Sequence, residues 1–232
     1  MKILALDTSM GACSAAALRA DIGSELLVAR SESMARGHAE ALMPMVAEVL
    51  AEAGLAAREL DLVAATLGPG SFTGVRIAIA AARGFALATN AKLWGTDSLT
   101  VMAQGALAET AMTRAGRPFA VAVDARKSML YFALFDAAGT RLQGPALIAP
   151  KDAAALLPDV FAVAVGSGAG LLAQAAEERG RHIEAMLPDL QPEASTLAAL
   201  ALAAGETSAS LRPLYLRPPD AKPQAAVPLT RC

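Results

Sequence analysis

Residues 3–8 read ILALDT, and residues 119–124 read FAVAVD. Each stretch is a short apolar run typical of a buried β-strand, and each reaches a carboxylate, Asp7 or Asp124, at or next to its end. The residues after each stretch predict two more strands and then an alternation of helix and strand. The chain therefore repeats one β-β-β-α-β-α unit, with Asp7 and Asp124 at matching positions.

A duplicated unit of this kind predicts an α/β fold with two lobes and a cleft between them. The plan fits the ribonuclease-H-like, actin-like ATPase (ASKHA) architecture. We expect one lobe at residues 1–97 and a second lobe at residues 98–211. Residues 212–232 contain five prolines, which disfavour regular packing, so an extended tail is expected there.

The composition of the 232 residues excludes several classes of protein. They are 55% hydrophobic and 18% charged with a net charge of -2, which gives a large core and no long-range attraction for nucleic acid. Cys13 and Cys232 cannot build a disulfide framework, and Asp7 comes too early for a signal peptide, so a cytoplasmic location is expected. No membrane contact is expected, because glycines or Arg83 interrupt the longest apolar runs.

The two strand ends are candidates for a nucleotide site. An aspartate with neighbouring hydroxyls could hold hydrated Mg²⁺ and phosphate, and a glycine-rich turn that opens a helix suits an anion. However, the first turn has no glycine before Gly11, and Leu171 stands where a dinucleotide fingerprint needs glycine. Turn capping and close strand-to-helix packing account for the same residues. The sequence thus predicts a degenerate nucleotide cleft formed by Asp7, Thr8, Ser9, Asp124, Gly166 and Gly168.

The most distinctive string is Gly68-Pro69-Gly70-Ser71-Phe72-Thr73-Gly74-Val75-Arg76. It is similar to a phosphate loop, but it lacks the lysine of a Walker A sequence, so ATP hydrolysis through it is not expected. A serine hydrolase is disfavoured, because no Gly-x-Ser-x-Gly occurs and the two histidines suit solvent-facing or capping roles: His38 starts an amphipathic helix and His182 follows a charged stretch. We expect no catalytic residue and no metal site. An independent ATPase or protease of the same fold remains the alternative.

This string, together with Asp7-Thr8-Ser9, HAEALMP at 38–44 and PLYLR at 213–217, resembles the bacterial TsaB (YeaZ) family over nearly the whole chain. The resemblance implies a non-catalytic subunit in the synthesis of threonylcarbamoyladenosine (t6A) in tRNA. It implies pairing with the homologous transferase TsaD, assistance by the ATPase TsaE, and self-association when the chain is alone. Contact with tRNA is expected only through that complex. The resemblance requires no cofactor but leaves room for weak or interfacial ATP or ADP.

The resemblance also implies roles for particular residues. The catalytic relative has a His-x-x-x-His metal pair, and Ser98 and Met102, which are poor ligands for a hard cation or zinc, stand at those positions. Two amphipathic helices, at 38–53 and 72–89, are expected to pair with the same helices of a homologue as a four-helix interface. The expected interface residues are Leu42, Met45, Val46, Val49, Gly74, Val75, Ala78 and Ala82.

Overall fold

The structure, a computed structural model, describes residues 1–109, 116–158, 163–205 and 210–217. Its first sheet consists of β1 (Lys2–Asp7), β2 (Ala12–Asp21), β3 (Ser24–Ser33), β4 (Leu62–Thr66) and β5 (Lys92–Thr96). Its second sheet consists of β6 (Phe119–Asp124), β7 (Leu130–Phe135), β8 (Arg141–Ile148), β9 (Val163–Val165) and β10 (Glu184–Met186). The helices are α1 (His38–Glu52), α2 (Phe72–Thr89), α3 (Ser98–Ala108), α4 (Pro150–Leu156), α5 (Ala169–Glu177) and α6 (Ala194–Ala204), with a 3-10 turn at Ala57–Glu59.

The two sheets have the same topology. Their strand orders are β3-β2-β1-β4-β5 and β8-β7-β6-β9-β10. In each sheet the first three strands form an antiparallel meander, and the last two run parallel to the central strand, β1 or β6. The predicted two-lobed actin-like fold with duplicated β-β-β-α-β-α units is therefore confirmed. Each copy also has a fifth strand and a further helix.

Both faces of the first sheet are covered, which explains why β1 is apolar at nearly every position. Leu4 and Leu6 point to the side that α1 and α2 cover, whereas Ile3 and Ala5 point to the side that α6 covers. The alternation follows from the period of two along a strand. The second sheet repeats this arrangement, with α4 and α5 on one face and α3 on the other.

The division into lobes differs from the predicted boundaries. The late helix α6 packs on the first sheet and not on the second, because its buried leucine and alanines complete the uncovered face of β1 and β2. Residues 210–217, here called the C-terminal strap, return to the first lobe as well. Leu211 is buried in the first-lobe core, and the Leu214 N–H donates to the Leu67 carbonyl at 2.6 Å. The tail predicted from residue 212 is thus packed as far as Arg217, and residues 218–232 lie outside the described residues.

The eight residues predicted to contact a partner form the inner faces of α1 and α2. An amphipathic helix turns its apolar stripe toward the sheet, and here that stripe packs in the first-lobe core. The predicted interface is therefore wrong for these side chains, which are inaccessible to a partner. All eight are buried: Leu42, Met45, Val46, Val49, Gly74, Val75, Ala78 and Ala82.

Among the described residues, α2 is the one helix long and apolar enough to cross a membrane by length and composition. In the structure it lies along the first sheet, where Val75, Ile79 and Ala82 face the core. The apolar residues on the inner face of α2 are therefore core residues of the first lobe, whereas those on its outer face are exposed to solvent.

Candidate functional site: the cleft between the lobes

The string Gly68–Arg76 connects β4 to α2 and packs against the end of β1. The Ser71 hydroxyl caps α2 by accepting the Gly74 N–H at 2.9 Å, as expected of a serine before a helix. The Ser71 N–H donates to the Ser9 carbonyl at 2.7 Å. The loop is thus fixed to its own helix and to the first strand.

Gly70 and Gly74 allow the loop to approach β1 closely. A Cβ atom on Gly70 would lie 2.1 Å from the Ser9 carbonyl oxygen, and one on Gly74 would lie 2.0 Å from the Thr8 carbonyl oxygen. The Thr8 hydroxyl donates to the Gly74 carbonyl at 2.6 Å and accepts the Ala78 N–H at 3.1 Å. The backbone of the loop therefore packs directly against this strand end, at contacts that no side chain larger than hydrogen could make.

Asp7 is fully buried at that strand end. Its carboxylate accepts hydrogen bonds from the Ser9 hydroxyl at 2.8 Å, from the Ser9 N–H at 3.2 Å and from the Thr66 hydroxyl. The Ser9 hydroxyl also lies 3.0 Å from that of Ser98. Burial raises the pKa of Asp7 to about 7, although the bonds from Thr66 and Ser9 oppose the rise. The carboxylate is enclosed by protein hydroxyls and has no open side for hydrated Mg²⁺.

The equivalent strand end of the second lobe is open. Asp124 is exposed, and its carboxylate accepts the Arg126 N–H at 2.7 Å. The next residues, Arg126, Lys127 and Ser128, have φ values of 62°, 52° and 55°. Residues other than glycine rarely adopt this left-handed conformation, which persists only where the surrounding structure enforces it and which is frequent at binding sites.

A cavity of about 1190 Å³ lies between the two lobes and is also bordered by the strap. Of the six residues predicted to form a nucleotide cleft, Ser9 and Asp124 line it, whereas the other four are buried outside it. A Cβ atom on Gly166 would lie 2.7 Å from the Ala122 carbonyl, so this glycine serves close packing. The cavity is lined by, among others, Arg36, His38, Glu40, Ser71, Phe72, Arg126, Lys127, Tyr131, Gln191, Tyr215 and Arg217.

The sequence did not predict that cations and aromatic residues meet in this cavity, although Phe72 and PLYLR belong to the strings quoted for the family resemblance. The Phe72 and Tyr215 rings stack with centroids 4.9 Å apart, and the Arg76 guanidinium lies 3.6 Å from the Phe72 centroid. The Arg76 Nε donates to the Tyr215 hydroxyl at 2.6 Å. Two signals were available in the sequence: Arg126 and Lys127 closely follow FAVAVD, and PLYLR precedes the proline-rich end of the chain.

The described residues contain no group of three or more histidine, cysteine, aspartate or glutamate side chains arranged to hold a metal ion. Ser98 and Met102, for which the resemblance implied the positions of a metal pair in the catalytic relative, are both fully buried. Met102 packs in the second-lobe core. The His38 ring is 3.1 Å from the Met10 carbonyl oxygen. A hydroxyl and a core thioether do not form a donor set suited to a metal.

Known proteins are similar to this chain in sequence and in fold. The TsaD family, described as tRNA N6-adenosine threonylcarbamoyltransferase, matches residues 30–211. The structure of YeaZ from Pseudomonas aeruginosa is 33% identical in sequence and superposes with a TM-score of 0.76 over 93% of this chain and 99% of that one. The chain belongs to the TsaB (YeaZ) family.

Relatives in sequence differ in how much of their length aligns with this chain. The tRNA threonylcarbamoyladenosine biosynthesis protein TsaB of Escherichia coli is 38% identical over 133 residues, which are 57% of this chain and 54% of that protein. The chain therefore aligns with about half of the E. coli relative's length. An uncharacterized protein of Mycobacterium tuberculosis is 33% identical over 225 residues, which are 96% of this chain and 95% of that protein.

Proposed function

We propose that this chain is a non-catalytic subunit of the bacterial system that makes t6A in tRNA, paired with a TsaD-type transferase and assisted by the ATPase TsaE. The E. coli relative is named for t6A biosynthesis, which supplies the pathway. The observation that carries the non-catalytic role is the closed end of β1, where a Cβ on Gly74 would lie 2.0 Å from the Thr8 carbonyl oxygen and Asp7 is enclosed. A tRNA substrate places the assembly in the cytoplasm.

The docking surface for TsaD is the outer face of α1 and α2. On α1, Met43 and Ala47 are exposed and four residues apart, so they share one row. On α2, Leu87 is 87% exposed, which leaves nearly the whole of a large apolar side chain in solvent. We call this surface the outer helical face; its residues are Met43, Ala47, Ala51, Ala80, Gly84, Leu87 and Ala88.

The two arginines of α2, Arg76 and Arg83, are exposed beside the outer helical face. Arg76 donates to the Tyr215 hydroxyl, and Arg83 donates to the Leu211 carbonyl, so both are tied to the C-terminal strap. A partner that covers the face must therefore leave these guanidinium groups in solvent or hydrogen-bond them. Small side chains such as Gly84 allow a partner helix to approach closely.

A TsaD-type subunit is the partner that fits this surface. The TsaD family matches residues 30–211, a range that includes α1 and α2, so a homologous subunit has an equivalent helix pair. Two helix pairs pack favourably as a four-helix bundle. The pairing would use the outer helical face rather than the buried stripe that the sequence indicated.

The substitution Leu87→Glu tests the docking surface. Because the side chain is 87% exposed, the variant should fold normally but lose co-purification with TsaD. The matched control is Leu142→Glu, which changes a leucine that is 56% exposed on β8 of the second lobe and should keep the complex. Retained TsaD binding by Leu87→Glu would refute the assigned face. If Leu87→Glu loses self-association but keeps TsaD binding, the face is a homodimer surface.

Omission of the chain from a reconstituted reaction tests the role in the pathway. With TsaD, TsaE, threonylcarbamoyl-adenylate and tRNA present, t6A should form only when the chain is added. Full product without it would contradict the proposal. ATP turnover by the purified chain that disappears in Asp7→Ala/Asp124→Ala would instead favour an independent ATPase.

A further inference from the structure

We propose that the cavity between the lobes binds phosphate groups of the tRNA backbone directly, without a metal ion. This inference rests on the proposed function, which supplies tRNA as the substrate of the assembly. The ligand would be a phosphodiester chain with an accessible base. The site consists of side chains from three separate segments of the chain.

The cations of the cavity come from different parts of the chain. Arg36 lies between β3 and α1, Arg126 and Lys127 lie in the turn between β6 and β7, and Arg217 ends the described strap. In the described part of the chain, four Arg and Lys residues line the cavity against two carboxylates, those of Glu40 and Asp124. The cavity therefore has a local excess of positive charge, although the net charge of the whole chain is -2.

The backbone adds to that positive potential. The N-terminal ends of α1 and α2, helices of 15 and 18 residues, both face the cavity. The N-cap of α1 is Gly37, which supplies no side-chain acceptor for the first helical N–H groups. These N–H groups and the helix dipoles favour an anion in the space already bordered by arginines.

The turn that holds two of the cations is fixed in an unfavourable conformation. Arg126, Lys127 and Ser128 are all left-handed, and the Arg217 guanidinium donates to the Arg126 carbonyl at 3.2 Å. The strap thereby fastens the turn of the second lobe across the cavity. Such fixing reduces the entropy cost of holding long cationic side chains near a ligand.

The surroundings favour a phosphodiester over Mg²⁺-nucleotide. Mg²⁺-nucleotide binding is favoured by accessible carboxylates, but Asp7 is enclosed, and the two carboxylates that line the cavity, those of Asp124 and Glu40, are outnumbered by its four cations. Arginine binds phosphate oxygens without a metal. The stacked pair of Phe72 and Tyr215, 40% and 41% exposed, offers an aromatic surface against which an unpaired RNA base can stack.

Fluorescence anisotropy with a labelled, unmodified tRNA transcript and the purified full chain tests this inference. The variant Arg36→Gln/Lys127→Gln removes two charges from the cavity. The control Arg58→Gln/Arg179→Gln removes two exposed charges that do not line it. We expect the cavity variant to weaken binding about tenfold and to lower the slope of log affinity against log salt by about 1.5, measured from about 50 to 200 mM salt.

The control variant should bind within about twofold of the unchanged chain, and EDTA should leave the affinity unaltered. Equal losses in both variants, no loss in the cavity variant, or no binding by the unchanged chain would overturn the inference. Displacement of the transcript by Mg²⁺-ATP would show a nucleotide site instead. The assay contains neither TsaD nor a modification readout, so its failure leaves the omission test of the proposed function unaffected.

Discussion

Asp7 and Asp124 end the equivalent central strands of the two lobes, yet their environments are opposite. Asp7 is fully buried among hydroxyls, whereas Asp124 is exposed on the wall of the cavity. The strand order is the same in both sheets, so topology is not the cause. The cause is the packing of the loop from β4 to α2, whose glycines bring backbone against the first strand end. Duplication preserved the fold, and local packing decided which strand end is available to a ligand.

The largest expected effect comes from disrupting the close packing at the closed strand end. In Gly74→Ala the new Cβ would lie 2.0 Å from the Thr8 carbonyl oxygen and 2.5 Å from the Ser71 hydroxyl, and neither group can move freely. We expect the free energy of unfolding to fall by about 5 kcal/mol or more, which would unfold a domain of ordinary stability. Expression yield and urea denaturation measure this.

Gly84→Ala, on the exposed side of the same helix, is the matched control. No atom lies within 4 Å of the position that its Cβ would occupy, so the helix propensity of alanine should raise stability by about 0.8 kcal/mol. A tolerated Gly74→Ala would mean that the loop can withdraw and that the strand end is not permanently closed.

A second, smaller effect is the pH dependence that the buried Asp7 gives to stability. The pKa of Asp7 is about 7 in the folded chain, against about 3.9 in an unfolded one. Between these values the folded state binds more protons than the unfolded state, so the free energy of unfolding falls as pH rises from about 4 to about 7, by up to about 4 kcal/mol. Asp7→Asn should remove most of this slope in urea denaturation curves taken across that range.

The exposed aspartate provides the comparison for that measurement. Asp124→Asn, which removes the exposed carboxylate that accepts the Arg126 N–H, is the matched variant for these urea denaturation curves. If Asp7→Asn keeps the full slope, the closed carboxylate is not the group that titrates.

The smallest effect concerns the left-handed turn that follows Asp124 at the open strand end. Ser128 has a φ of 55°, and glycine adopts this conformation without strain, so Ser128→Gly should raise the free energy of unfolding by about 0.5 to 1 kcal/mol. Ala80→Gly, at an exposed helical position, should lower it by about 1 kcal/mol. A destabilised Ser128→Gly would show that the left-handed turn is not strained.

Most of the fold could be predicted because its central strands have strong sequence patterns. The runs of β1 and β6 and the amphipathic stripes of α1 and α2 were identified correctly. The helix α6 was missed because ASTLAALALAA is apolar on all sides and shows no helical period. The strand β10 was missed because it has three residues and an exposed, polar start.

The site was less predictable because its residues are far apart in the chain. The glycines of Gly68–Arg76 stood out, but only the structure shows that Gly70 and Gly74 pack against Ser9 and Thr8. Likewise, Arg36, Arg126 and Arg217 carry no shared motif, and the folding of the two lobes and the strap brings them to one cavity.

The sequence by itself determined the two-lobed fold, the duplicated strand ends and the family, because local periodicity and a contiguous motif encode them. Only the tertiary structure decided which face of each helix is open and which aspartate reaches solvent. It also showed that α6 and the strap complete the first lobe. The physical reason is that burial depends on all the segments that pack around a residue, and a local pattern records only the residue's own segment.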